Sequence, residues 1–206
     1  IEALLGPAVA DLVEQAVEVG PLRGDTAQHH HEDLRRLMDS LSGDMRVVIL
    51  RLGLRVNDLK GGETPGCAAH RDLAQESLDL YVPLADRLGM SVLCAELQDQ
   101  CFRILEPAVY DQLARAMGVI RSADEACVDS LSNGLAQLLR RHGITARVHG
   151  RVKSLYSLYS KMLRRQCSLQ EITDRIGLRV IVSSETQCYA ALQLLHTHFC
   201  PIPGTF

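Results

Sequence analysis

Residues 144 to 165 read ITARVHGRVKSLYSLYSKMLRR, and within this stretch the chain changes from one periodicity to another. Ile144, Ala146 and Val148 alternate with polar residues, which predicts a half-buried strand. From about Lys153 the apolar residues recur at steps of three and four, which predicts a helix with one buried face. A strand followed directly by an amphipathic helix indicates that this part of the chain builds a layered α/β structure.

The segments on either side extend this pattern. A helical pattern covers residues 122 to 141, and GLRVIVS at 177 to 183 reads as a second, buried strand. The next apolar positions predict a helix whose N-cap is Ser183 or Ser184. The order helix, strand, helix, strand, helix therefore predicts an α/β second half.

The first half carries helical patterns throughout. A glycine-rich break, GGETPGCAA at 61 to 69, interrupts them. The predicted helices cover residues 1 to 20, two segments between 30 and 60 that split at Ser42-Gly43, and then 72 to 88, 91 to 105, and Pro107 to about Met117. The fold class predicted for the whole chain is α+β and mainly helical.

Composition excludes several classes of protein. The 206 residues are 47% hydrophobic, enough for a packed core, and the formal net charge of -3 gives no overall reason to bind DNA or an anionic membrane. No uninterrupted apolar run is long enough to span a bilayer, which predicts a cytoplasmic protein. Because the chain begins without methionine and ends on PIPGTF, we expect it to be a piece of a longer protein.

A polar stripe runs along the helix predicted after Gly150. Lys153, Ser157 and Lys161 are four residues apart and would span roughly 12 Å, about the length of a triphosphate. Arg151 lies at the junction of strand and helix, where free backbone N–H groups favour anions. The alternative interpretation is a solvated polar face, since charged stripes commonly serve solubility alone.

A second charged feature precedes the second strand. Asp174 comes just before the strand and Arg179 lies within it, an expensive place for a charge without a partner. A carboxylate beside a lysine-bearing helix suits a magnesium-dependent nucleotide site. The alternative is a structural ion pair of Asp174 with Arg175 or Arg179.

Several segments resemble the synthetase domain of the long RelA/SpoT-type alarmone enzymes. Those segments are GRVKSLYSLYSKM (150 to 162), EITDRIGLRVIV (171 to 182), CYAALQLLHTHF (188 to 199) and PIPGTF (201 to 206). Upstream, VVILRL at 47 to 52 and the stretch from Tyr81 to Tyr110 resemble the helical region that precedes this domain. The resemblance covers nearly the whole chain, which makes it more specific than any single motif.

The resemblance implies a (p)ppGpp synthetase with a nucleotidyltransferase-like fold, which transfers pyrophosphate from ATP to the ribose 3′-hydroxyl of GTP or GDP. It implies that Arg151 stacks on adenine and that the catalytic Asp174 holds Mg²⁺. The phosphates would be lined by Lys153, Ser157, Lys161 and Arg179. The family's second carboxylate and guanine-stacking tyrosine would lie beyond Phe206, so we expect this fragment not to turn over alone. Ribosome association is implied only through C-terminal domains absent from this chain.

The first half resembles an HD-type hydrolase domain with a changed metal motif. The family's ADRLHNMR corresponds to residues 53 to 60, GLRVNDLK, where Leu54 replaces the metal-binding aspartate and offers no oxygen. We therefore expect an inactive hydrolase remnant. The predicted domains are residues 1–75 for this remnant, 76–117 for linking helices and 118–206 for the first part of the synthetase domain.

Two rival interpretations stay open. The chain could be a catalytically silent regulatory or nucleotide-binding module of a RelA/SpoT-type protein. It could also bind RNA through Arg140, Arg141, Arg147 and Arg151, but aromatic residues make up only 4% of the chain and are not interleaved with this basic run. The cluster at residues 29 to 33, HHHED, does not match the HD motif, and we expect no metal there.

Overall fold

The computed structural model describes residues 6–18, 44–61, 67–200 and 202. The described chain is mainly helical, with one small two-stranded sheet in its second half, which confirms the predicted α+β class. It divides into two compact units, residues 1–112 and 113–206, which we describe separately. The predicted domain boundaries at residues 75 and 117 stay predictions.

The first unit is all-helical in its described part. Its helices are α1 (Pro7–Glu18), α2 (Met45–Gly61), α3 (Ala68–Glu76), α4 (Val82–Arg87) and α5 (Ser91–Leu105), and a π-helical turn, Ser77–Tyr81, joins α3 to α4. The core contains Leu52 of α2, Leu80 of the turn and Leu97 of α5, each almost completely buried. The predicted helix before Ser42 and the histidine-rich cluster at 29 to 33 lie outside the described residues.

A buried charge lies inside this helical unit. Arg55 of α2 is 3% exposed and donates hydrogen bonds to both carboxylate oxygens of Glu76, at 3.1 and 3.2 Å, and to the Tyr81 hydroxyl at 2.8 Å. Its guanidinium also lies 4.1 Å from the centre of the Tyr81 ring. Burial of a charge is tolerated when it is paired and hydrogen-bonded in this way. Arg55 therefore ties α2 to the π-helical turn.

One long helix, α6 (Pro107–Arg141), replaces the two helices predicted on either side of residue 118. The expected end near Met117 was wrong. Gly118 lies inside the helix, where a single glycine costs only about 1 kcal/mol relative to alanine and does not stop the hydrogen-bond ladder.

The sheet and its connecting helix follow α6. The elements are β1 (Ala146–Val152), α7 (Leu155–Arg165), a 3₁₀ turn (Leu169–Glu171), β2 (Ile176–Val182) and α8 (Glu185–His198). The strands are antiparallel, with Ala146 opposite Val182 and Val152 opposite Ile176. Ser184 is the N-cap of α8, since its hydroxyl accepts the Gln187 N–H, which confirms one of the two predicted caps.

The two faces of the sheet differ in composition. On the core face, side chains of both strands pack with Leu135 and Leu139 of α6 and Ala191 of α8. The strand residues on this face are Ala146, Val148, Val180 and Val182. Because side chains alternate along a strand, the intervening residues share the opposite, open face. The open face carries Arg147, His149 and Arg151 from β1, and Gly177, Arg179 and Ile181 from β2.

The prediction that the second strand is buried was wrong. Ile181 on the open face is 39% exposed, and Leu178, opposite Gly150 on the other face, is 38% exposed. Arg179 is likewise exposed on the open face, so it does not carry the cost of a buried charge. An apolar run in the sequence cannot distinguish a strand covered on both faces from one covered on a single face.

Candidate functional site

Asp174 and two lysines form the centre of the candidate site. The Lys153 ammonium donates to Asp174 Oδ2 at 2.9 Å, and the Lys161 ammonium donates to the same oxygen. Lys153 lies just before α7, Lys161 lies within it, and Asp174 lies between the 3₁₀ turn and β2. The local fold therefore brings two ammonium groups onto one carboxylate oxygen, although Lys153 lies 21 residues before Asp174 in the sequence.

Lys153 lies outside α7, because the helix begins at Leu155. Ser154 is the N-cap, and its hydroxyl accepts the Ser157 backbone N–H at 3.3 Å. The expected row of cations along the helix was wrong in this respect, because Lys153 precedes the helix and its ammonium converges with that of Lys161. The long, flexible lysine side chains let both ammonium groups reach the same carboxylate. Ser157 itself is half-buried one turn into α7.

The lysines control the charge state of Asp174. The hydrogen bond from Lys161, followed by that from Lys153, lowers the pKa of Asp174 well below its usual range, and partial burial opposes this effect. The side chain as a whole is 43% exposed, yet its Oδ1 atom is buried and has no hydrogen-bond partner. One oxygen of the carboxylate is therefore shared by two ammonium groups, and the other is buried without a hydrogen-bond partner, which is costly for a charged oxygen unless a cation binds it.

A carboxylate oxygen without a hydrogen-bond partner fits the chemistry of a magnesium ion that arrives with phosphates. Mg²⁺ prefers oxygen ligands, and proteins commonly bind it through one or two carboxylates together with water and substrate phosphates. In the described parts of the chain, no group of three His, Cys, Asp or Glu side chains could hold a metal ion. Asp174 would therefore hold the ion together with substrate phosphates and water.

Two predicted arginines lie on the open face of the sheet. Arg151 is opposite Gly177 and Arg179 is opposite His149, so the two arginines are diagonal neighbours on one face. Arg147 is two residues along β1 from His149 and shares this face. The register therefore groups Arg147, Arg151 and Arg179 into a basic surface, which the sequence predicted only as separate positions.

Arg175 and Asp124 were missed as site residues by the sequence analysis. Arg175 Nε and Nη2 donate to the two carboxylate oxygens of Asp124 on α6, at 2.9 and 3.0 Å. The expected alternative, an ion pair of Asp174 with an arginine, was wrong, because Asp174 pairs with lysines and Arg175 pairs with Asp124. The two partners are 51 residues apart, and no local pattern in the sequence joins them.

Comparisons with known families match both halves of the chain. Residues 1–91 match the HD domain family, and residues 150–206 match the family described as "Region found in RelA / SpoT proteins". The chain thus falls in the class of proteins in which an HD domain precedes a RelA/SpoT region. It belongs to the RelA/SpoT family, which confirms the resemblance inferred from the sequence.

Curated relatives cover nearly the whole chain. A protein of Synechocystis named "Probable guanosine-3′,5′-bis(diphosphate) 3′-pyrophosphohydrolase" is 34% identical over 100% of this chain and 27% of its own length. A "GTP pyrophosphokinase" of Streptomyces coelicolor is 33% identical over 98% of this chain and 24% of its own. A pyrophosphohydrolase of Haemophilus influenzae is 32% identical over 97% and 30%, respectively. The chain therefore spans roughly a quarter of the length of these relatives, which carry names of opposite activities.

None of the helices in residues 6–18, 44–61 and 67–200 is both long and apolar enough to cross a bilayer.

Proposed function

We propose that this chain contributes the ATP-binding side of a (p)ppGpp synthetase, the activity named GTP pyrophosphokinase in several relatives. The observation that carries the proposal is the convergence of Lys153 and Lys161 on Asp174, with the Arg151 strand leading directly into this cluster. A carboxylate with one unpartnered oxygen beside two ammonium groups has the chemistry to hold both a metal ion and the phosphates it bridges.

Different residues are assigned to the adenine and to the phosphates of ATP. Arg151 presents a planar guanidinium that can stack on adenine, and Arg179 places a second cation on the same open face. Lys153, Ser157 and Lys161 surround the phosphates. Magnesium, held by Asp174, would supply further neutralisation of phosphate charge when bound. Catalysis by such a site consists of positioning ATP so that the acceptor 3′-hydroxyl can attack its β-phosphorus in line.

Nucleotide binding requires the lysines to change partners. In this structure both ammonium groups bind Asp174 Oδ2, so the carboxylate occupies the position of an anion between them. Phosphate oxygens carry more negative charge and can attract both lysines. Their departure frees Oδ2 and strengthens the attraction of Asp174 for a cation. We infer that ATP and magnesium bind together more tightly than either binds alone.

A binding experiment with a matched control tests the role of the open face. We expect a non-hydrolysable ATP analogue to bind the chain in the presence of Mg²⁺, and Arg151→Ala to weaken this binding about tenfold through lost stacking. Arg165→Ala removes the same charge from the exposed end of α7 and serves as the control. Equal loss in both variants would indicate general charge attraction and would overturn the assignment of Arg151.

Turnover is a separate question from binding. We assign residues to the donor side alone, so we expect this chain to bind ATP without transferring pyrophosphate to GTP or GDP. An assay with labelled ATP and either acceptor, followed by separation of the products, measures this directly. Substantial (p)ppGpp formation would contradict the expectation and would mean that the acceptor side also lies within this chain.

The rival candidate is a catalytically silent regulatory module. It is favoured by Leu54, which replaces a metal-binding aspartate of the resembling hydrolase motif and is 46% exposed on α2. A silent module would bind the ATP analogue equally well with and without Asp174, whereas the donor site requires Asp174 for its magnesium dependence. The synthetase proposal includes a cytoplasmic location. It also includes ribosome association through other domains.

A further inference from the structure

Arg175 forms a three-point clip around the loop that carries Asp174. Its Nε and Nη2 atoms donate to the Asp124 carboxylate on α6 at 2.9 and 3.0 Å, and its Nη1 atom donates to the Ile172 carbonyl at 3.1 Å. Asp174 lies between the two loop residues that take part in the clip, Ile172 and Arg175. The path of the backbone through Asp174 is therefore fixed from both sides.

The residues of the clip are largely shielded from water. The Asp124 side chain is 10% exposed and the Arg175 side chain 27% exposed, and Ile172 is completely buried. One residue further along α6, Glu125 pairs with Arg121, but both of those side chains are more than half exposed. Exposed pairs of that kind contribute little, whereas a bidentate guanidinium–carboxylate pair shielded from water imposes a defined geometry.

The protonation states favour the same geometry. The hydrogen bonds from Arg175 lower the pKa of Asp124, and the partnership raises the pKa of Arg175, so both groups remain charged across the physiological range. On the other side of the loop, the Lys153 backbone N–H donates to the Arg175 carbonyl at 2.8 Å and continues the strand pairing. Arg175 is thus held through both its side chain and its backbone.

We propose that Asp124 and Arg175 are positioning residues that hold the Asp174 carboxylate in place for a phosphate-bound divalent cation. This inference rests on the proposed ATP site and adds two residues to it. The Asp174 side chain is anchored in this structure by the two lysines, which the proposed function transfers to phosphates. Once they have left, the clip would keep the Asp174 carboxylate in place, where it could hold the metal ion. Outer partners that orient metal ligands typically change metal affinity by about 10- to 100-fold when removed.

Mn²⁺ is a suitable probe because carboxylate and phosphate ligands suit it as they suit Mg²⁺ and its binding is detected by electron paramagnetic resonance. Mn²⁺ is titrated into the chain in the presence of a saturating non-hydrolysable ATP analogue, with Asp174→Asn defining the background. The test variants are Asp124→Asn and Arg175→Lys, and Glu125→Gln is the matched control on α6. We expect Mn²⁺ affinity to fall about tenfold in both test variants and to be unchanged in the control.

A second measurement separates positioning from general loss of structure. Affinity for the ATP analogue in metal-free buffer depends on the lysines and arginines, and we expect it to change less than about twofold in the test variants. Arg175→Lys keeps the charge and a single donor group, so it reports on geometry even where Asp124→Asn does not fold.

The outcomes distinguish the two proposals. Wild-type protein that shows no Mn²⁺ binding above the Asp174→Asn background would overturn the proposed ATP site and this inference with it. Wild-type binding that both test variants retain would overturn the positioning role alone. The positioning role would also be overturned if the test variants lost as much affinity for the ATP analogue in metal-free buffer as they lost for Mn²⁺. The clip would then be a general structural element.

Discussion

At the scale of single residues, the site depends on how charge is shared around Asp174. Two ammonium groups on one oxygen leave a cluster with net positive charge, which suits the later arrival of an anion. The same sharing explains why Asp174 remains ionised although one of its oxygens is buried without a partner.

Removal of one lysine should change the titration of Asp174. Lys161 makes the largest contribution to the lowered pKa of Asp174, so Lys161→Ala should raise that pKa toward its ordinary value of 3.8. The chemical shift of the ¹³C-labelled carboxyl group, followed by NMR from neutral to acid pH, measures the change. A pKa that stays as low in the variant as in the wild type would contradict the pairing.

Acid sensitivity of the second unit should also follow from its carboxylates. The pKa values of Asp124 and Asp174 are lowered in the folded state, so their contribution to stability is complete above the ordinary value of 3.8 and is lost as the pH falls through the lower folded values. We expect the free energy of unfolding to decline below about pH 5, and less steeply in Asp124→Asn. Urea unfolding of the wild type and Asp124→Asn between pH 2 and 7 tests this. The same pH dependence of the free energy of unfolding in both proteins would contradict it.

Only some of the residues of this site could be predicted from the sequence. Lys153, Lys161 and Asp174 stand in recognisable segments, and their chemistry pointed to an anion and a metal before any geometry was known. The partnership of Arg175 with Asp124 could not be predicted, because it depends on where α6 packs against a loop 51 residues away. Long-range pairs of this kind have no local periodicity to reveal them.

At the scale of elements, the contact between β1 and α6 depends on one glycine. A Cβ atom at Gly150 would clash with the Val128 side chain on α6, and would lie 2.7 Å from Ser132 Oγ and 2.9 Å from Leu178 Cδ2. This close approach of strand and helix gives a physical reason for a glycine immediately before Arg151.

Gly150→Ala should therefore destabilise the second unit. We expect a loss of about 1–3 kcal/mol in the free energy of unfolding, the usual cost of forcing extra volume into a packed contact. Gly177→Ala is the matched control, since a Cβ there meets nothing within 4 Å on the open face of the neighbouring strand. Denaturant unfolding of both variants measures the difference, and equal stabilities would contradict the packing described for β1.

Elements were predictable from the sequence where periodicity was strong. The helix predicted at residues 91 to 105 matches α5, Ser91–Leu105, and the order of helices and strands in the second half is as expected. The first predicted strand begins two residues too early, because Ile144 is buried ahead of the strand. The helix end predicted near Met117 was wrong, because α6 continues through Gly118 to Arg141.

At the scale of the whole molecule, the chain joins an HD-type helical unit to a RelA/SpoT region, and its relatives carry names of both synthesis and hydrolysis. The sequence predicted this family correctly, because matching segments occur in order along nearly the full chain. Which of the two activities operates depends on individual residues within each unit.

We expect no hydrolysis of (p)ppGpp by this chain. Leu54 offers no metal ligand where the hydrolase motif that this segment resembles has an aspartate. Incubation of labelled ppGpp with the chain and Mn²⁺ should release no pyrophosphate above the level of a protein-free control. Release that depends on both the chain and Mn²⁺ would contradict this expectation.

The central claim is that Asp174 and its lysines form a magnesium-dependent ATP site. Calorimetric titration of a non-hydrolysable ATP analogue, with and without Mg²⁺, into the wild type and Asp174→Asn tests it most directly. The account predicts that Mg²⁺ strengthens binding about tenfold or more in the wild type and leaves binding by Asp174→Asn unchanged. The same strengthening by Mg²⁺ in both proteins, or no binding by the wild type, would contradict it.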